Sequence, residues 1–128
     1  MLSGMPTLGG VRLAQIPVGL LPSEMEVREP VEDGHGGSYG EPVSISRVRF
    51  VRTAERTAAS SAGAQGGYVF ADDVRGRIFI DAANSPGAYE VPAGSRISID
   101  GGEPLEVVRV ERHDNFDGSC HHWEVEVR

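Results

Sequence analysis

Polar and apolar residues alternate with a period of two over much of the chain, the spacing of a strand half-buried against a core. Glu24-Met25-Glu26-Val27-Arg28 shows it first, with Met25 and Val27 on one face. Val43 to Thr53 reads as a long strand, but Val43 and Ile45 fall on one face and Val48 and Phe50 on the other. Such a change of face predicts a bulge or bend, of the kind that turns a barrel corner. Tyr68-Val69-Phe70 starts a further strand, and Arg75 to Asp81 alternates with Ile78 and Ile80 facing inward. Arg96 to Asp100 runs into Asp100-Gly101, a dipeptide suited to a two-residue hairpin. Its partner, Leu105 to Glu111, is apolar on both faces and therefore predicted to be central. The last strand, His121 to Arg128, puts Trp123, Val125 and Val127 on one face and His122, Glu124, Glu126 and Arg128 on the other. His121 shares the Trp123 face and reads as a satisfied, half-buried histidine.

Between these segments the pattern breaks down. Residues 1–23 form an extended arm punctuated by Pro6, Pro17 and several glycines, where only Val11, Leu13 and Ile16 hint at a short strand. The arm is either a loose terminus or a segment that lies on a neighbouring subunit. Glu32 to Pro42 carries Gly34, Gly36, Gly37 and Gly40, which makes regular structure costly and predicts a loop. Thr53 to Gly67 is rich in Ala, Ser and Gly. It predicts a mobile surface loop, with a helical turn over Ala54 to Ala64 as the other reading. Asn84-Ser85-Pro86-Gly87 and Asp117-Gly118 mark tight turns. No segment has the length and 3.6-residue period of a sizeable helix. The expected fold is all-β: a small barrel or sandwich of short antiparallel strands over residues 24–128, with long Gly-rich loops near 32–42 and 53–67 and an extended N-terminal arm.

Composition narrows the picture. A chain of 128 residues suits one domain. Aromatics make up 6%, so Val, Ile and Leu must build the core around a few large anchors such as Trp123. The formal net charge is −7, and all 12 basic residues are arginine. That balance argues against tight nucleic-acid binding, which sets several cations against phosphates, but suits DNA that slides past without sticking. Cys120 is the single cysteine, so no internal disulfide is possible. The first 21 residues have neither the charged start nor the apolar run of a signal peptide, and no stretch is long enough to span a membrane. The expectation is a soluble protein made in a reducing cytoplasm, with no membrane partner.

Candidate chemistry is thin. His113, Asp114, Asp117, Cys120, His121 and His122 are the densest reactive group, and two strands joined by a turn could bring them together. Adjacent His121 and His122 point to opposite faces of a strand, however, and a second cysteine pair is missing. No metal site is therefore expected. Asp114 to Gly118 resembles a calcium loop only in passing, since its acidic spacing is wrong. Cys120 beside His121 does not make a nucleophile–base pair, because strand neighbours do not present their side chains to each other. No nucleophile elbow is present, and no phosphate loop can form without lysine. Asp72-Asp73 and Glu124/Glu126 read as solvated carboxylates. The expectation is a protein without catalytic residues, cofactor or metal.

A resemblance enters at the C-terminal end. Ile97-x-Ile99-Asp100-Gly101, then Leu105-Glu106-Val107-Val108-Arg109-Val110, then a short polar turn and His121-His122-Trp123-Glu124-Val125-Glu126-Val127 resembles the close of the minor capsid proteins of siphophages. Those proteins are similar to the head-completion, or stopper, proteins of the head-to-tail connector. Upstream, Ile16-Pro17, Leu20-Leu21-Pro22, the strand from Glu24 and the strand from Glu41 through Arg52 keep the same order, so the likeness runs over residues 16–128. The Thr53 to Gly67 insert departs from it. The resemblance implies a non-enzymatic virion protein at the head–tail neck. It would form a ring of about twelve copies under the portal and adaptor rings, facing a tail terminator or tail tube below. Such a ring retains packaged duplex DNA without reading its sequence, and docks the tail. The loop of Gly34, His35, Gly36, Gly37, Ser38, Tyr39 and Gly40 is the candidate channel gate, with Tyr39 as a tip aromatic. Thr53 to Gly67 is the other gate candidate. His121, His122, Trp123 and Glu124 carry the family signature. The competing expectation is a capsid or tail-side adaptor that never meets the channel.

Overall fold

The computed structural model describes residues 13–32, 37–53 and 74–128. Six strands close into an antiparallel barrel: β1 (Ser23–Arg28), β2 (Val43–Arg52), β3 (Gly76–Asp81), β4 (Arg96–Ile99), β5 (Leu105–Asp114) and β6 (Cys120–Val127). Around the barrel their order is β1-β2-β3-β6-β5-β4, with β4 returning to β1. Each of the six alternating segments is a strand, within a few residues of its expected bounds. The helical content among the described residues is a single 3-10 turn, Val18–Leu20. The predicted strand at Tyr68-Val69-Phe70, the Ala54 to Ala64 segment and residues 1–12 lie outside the described residues.

The interior follows from the alternation. Met25, Val27, Ile45, Val48, Ile78, Ile80, Val91, Ile97, Val107, Trp123, Val125 and Val127 form one buried cluster. Two strands break the alternation, and both do so through a bulge. On β2, Ser23 pairs with Val48 and Glu24 with Ser46, leaving Arg47 as the extra residue, at φ 57°. The insertion turns the strand so that Ile45 and Val48, three apart, both point inward. The free carbonyl of Arg47 accepts from Ser85 Oγ at 2.5 Å, and Ser46 N–H donates to the Pro86 carbonyl at 3.0 Å. On β5, Val107 pairs with Val127 and Arg109 with Glu126, so Val108 is extra. Val107 and Val110 thereby both meet the core. The two-faced apolar character of this strand is thus partly the mark of a bulge.

The turns keep to their chemistry. Asp100 and Gly101 have φ of 50° and 75°, and Gly102 N–H donates to the Ile99 carbonyl at 2.8 Å. These are the features of a type I′ turn, set within a longer connection, since β4 and β5 pair only from Ile97 and Leu105 outward. Asp100 also receives the Glu24 N–H at 2.9 Å through Oδ1, which ties the β4–β5 hairpin to β1. Gly76 opens β3 beneath the Phe50 ring, where an added Cβ would stand 2.3 Å from a ring carbon. Nothing larger than glycine fits there without moving the ring.

Residues 13–16 pair with no strand. Their polar groups go to side chains of the barrel: Leu13 N–H to Asn115 Oδ1 at 2.8 Å, and Ile16 N–H to Asp81 Oδ1 at 2.9 Å. Gln15 Nε2 donates to both oxygens of Asp81, each at 2.9 Å. Asp81, wholly buried, also accepts the Ala83 and Asn84 N–H groups. Burial pushes its carboxyl up, but hydrogen bonds from Ile16, Asn84, Gln15 and Ala83 outweigh it and hold the group below its ordinary value.

Candidate functional site

The signature strand β6 divides its side chains between the two walls of the barrel. Inward, Trp123 is 8% exposed and packs in the core, while its indole N–H donates to Glu90 Oε1 at 3.1 Å at the rim. His121 is buried as well, with Nε2 2.7 Å from the Ala14 carbonyl. It is a satisfied histidine that ties residue 14 to the wall. Outward, His122, Glu124 and Glu126 face β3 on one side and β5 on the other. Arg77 of β3 bridges Glu124 at 2.8 Å and Glu126 at 2.6 Å, a fork that suits its planar guanidinium.

The register between β5 and β6 sets His113 opposite His122, and Glu111 opposite Glu124. The rings of His113 and His122 stack with centroids 4.7 Å apart and planes 2° from parallel. His122 Nε2 lies 3.0 Å from Glu124 Oε2, and His113 Nε2 lies 3.4 Å from the same oxygen. Burial alone would raise the Glu124 carboxyl. The hydrogen bond with His122 and the charges of His113 and Arg77 overcome that and hold it low. Sequence spacing sends His121 and His122 to opposite walls, yet their rings meet edge to face with the Nδ1 atoms 2.8 Å apart, and it does not reveal that His113 and His122 meet. That proximity depends on strand register and on the hairpin that sets it, since Asp114 pairs with Cys120 across a register shift next to His113.

The remaining reactive side chains are spoken for. Asp117 Oδ1 accepts from the Ser119 N–H and hydroxyl, closing the β5–β6 turn as an Asx turn does. Cys120 donates its thiol to the His122 carbonyl at 3.6 Å, and burial pushes that thiol up, which opposes nucleophilic reactivity at neutral pH.

Of the candidate gate, Gly34, His35 and Gly36 lie outside the described residues, and Gly37, Ser38, Tyr39 and Gly40 are within them. Tyr39 is not at the tip. It pairs with Pro30 in an isolated bridge and lies under the Arg96 guanidinium, 4.6 Å from its ring centroid. Val31 N–H donates to the Ser38 carbonyl, and Gly40 N–H to the Glu29 carbonyl. The two sides of the loop thus run together as far as Ser38, through an isolated bridge beyond the ends of β1 and β2. An aromatic with a cation on its face and a backbone bridge belongs at a loop's base.

Residues 17–127 match a family described as minor capsid protein, a span that takes in all six strands. The chain belongs to the minor capsid protein family. As such it is a structural component of a virion, and the match covers both bulged strands and the signature strand. Among curated proteins no sequence matches this minor capsid protein. Among solved structures, the solution structure of protein SF1141 from Shigella flexneri 2a is similar over 88% of this chain and 96% of its own, at 18% identity and a TM-score of 0.45.

Proposed function

We propose that this minor capsid protein is a head-closure subunit of a tailed phage, a non-enzymatic stopper that forms a ring beneath the portal and adaptor and holds packaged DNA until the tail docks. The observation that carries the reading is family membership across the whole barrel, joined to what that barrel leaves available for assembly. A closed sheet has no unpaired edge, so copies of it cannot join by adding strand to strand. Contacts between neighbours must use the outer wall and the loops, an arrangement suited to a rigid body repeated about an axis. A formal charge of −7 would keep passing duplex DNA from adhering. The β1–β2 loop serves as the gate in this reading. Its base is fixed by the Pro30–Tyr39 bridge and by Arg96 over Tyr39.

The test is a deletion of Gly34 to Gly36 in the phage, which spares the base contacts. Heads should fill and then lose their DNA, while the purified variant melts with the natural chain. Heads that stay full would remove the gate from this loop. Variant protein found on the shell away from the neck would favour the competing adaptor role.

A further inference from the structure

From the outer wall of β5 and β6 we infer that His113, His122 and Glu124 form a binding site for a divalent transition metal, with zinc as the best-suited ion. Their ligand atoms all lie within 4.8 Å of one another. Two of the separations, 3.0 and 3.4 Å to Glu124 Oε2, bracket the edge of about 3.3 Å that bonds of about 2.0–2.1 Å make at a tetrahedral angle. Both Nε2 atoms converge on the same carboxylate oxygen, but the stacked rings are parallel, so the half-exposed His113 imidazole must turn out of the stack for both in-plane lone pairs to meet one ion. Two imidazoles and one carboxylate are the donor set of many zinc sites.

A count of hydrogens along the wall leaves one place that such an ion can fill. The Ala14 carbonyl meets His121 Nε2 at 2.7 Å, His121 Nδ1 meets His122 Nδ1 at 2.8 Å, and His122 Nε2 meets Glu124 Oε2 at 3.0 Å. A carbonyl at one end and a carboxylate at the other only accept, so each of the three contacts needs a hydrogen or a cation. Two neutral imidazoles supply two. A proton or a metal at His122 Nε2 fills the third place, and with a metal there the series behind it holds the ring as outer partners hold metal-bound histidines elsewhere. It also satisfies His113 Nε2, which converges on the same oxygen. Glu111 Oε1 lies 3.6 Å from His113 Nε2 but does not gather with the other ligand atoms, so water takes the fourth place. Arg77 occupies Glu124 Oε1 and leaves Oε2 to the two histidines, although its charge opposes a dication and keeps affinity moderate.

The experiment is calorimetric titration of zinc chloride into the chelator-treated, untagged full chain, followed by thermal melts with and without zinc. One ion per chain should bind, and zinc at about 100 times its dissociation constant should raise the melting midpoint by several degrees. His113→Ala, at a half-exposed position where folding is undisturbed, should weaken binding at least tenfold and abolish the shift; Glu124→Gln should weaken it too. Cys120→Ser should bind zinc like the natural chain. Absence of saturable binding by the natural chain, binding that survives His113→Ala, or binding lost in Cys120→Ser would each overturn the site.

Discussion

The two faces of β6 are built from the same eight residues, yet they answer to different physics. The inner face (His121, Trp123, Val125 and Val127) is buried against the rest of the barrel, and each position is set by the exclusion of water. The outer face (His122, Glu124 and Glu126) is half-buried and is set by pairing with Arg77, His113 and the opposite strand. Stability resides in the first, and any specific chemistry of this strand in the second. Substitutions on the two faces should therefore separate cleanly.

The largest effect belongs inside. Trp123→Ala removes the one large aromatic of the core and should cost about 3–5 kcal/mol in urea unfolding. A loss below about 1 kcal/mol would mean that the barrel end closes without it.

Asp81 comes next, as the inner end of the strap that holds residues 15 and 16. Asp81→Asn turns an amide N–H toward donors that the carboxylate now satisfies, and about 2–4 kcal/mol should be lost at neutral pH. Its folded pKa lies below the unfolded one, so the carboxylate stabilises the fold fully above its ordinary value of 3.8. That contribution drains away as the pH falls through the depressed folded value. Melts recorded from neutral pH downward should show the gap between Asp81→Asn and the natural chain narrowing only below about pH 4. A gap that stayed constant into strong acid would show that the charge on Asp81 contributes nothing.

The smallest effect belongs outside. Arg77→Ala breaks two ion pairs on the outer wall, but with the guanidinium 41% exposed the loss should stay below about 1 kcal/mol and shrink further in salt. A loss as large as that of Trp123→Ala would erase the contrast between the faces.

The same contrast explains what was legible in the sequence. Inner faces announce themselves through alternation, and the Met25/Val27, Ile78/Ile80 and Trp123/Val125/Val127 pairings follow from it directly. Bulges are legible too once their signature is known. Ile45 and Val48, and again Val107 and Val110, sit three apart in strands and both face inward, which only an inserted residue allows. Outer-wall pairs are different. His113 and His122 are neighbours only because the β5–β6 register places them so, and a shift of one residue would send them to opposite faces. The strap on Asp81 was hidden for a related reason. A buried carboxylate that gathers four donor groups from two separate segments leaves no periodic trace. Glycines on both sides of Tyr39 suggest a loop tip, whereas an isolated bridge to Pro30 and the Arg96 guanidinium hold it at the base, and neither contact leaves a pattern in the sequence.

Assembly around the DNA channel is the claim on which the functional account rests, and an image of the particle's neck at side-chain resolution tests it most directly. The account predicts copies of this barrel arranged in a closed ring beneath the adaptor, outer walls and loops in mutual contact, and the β1–β2 loops directed into the bore. Density for the same barrel on the shell faces, with none at the neck, would contradict it.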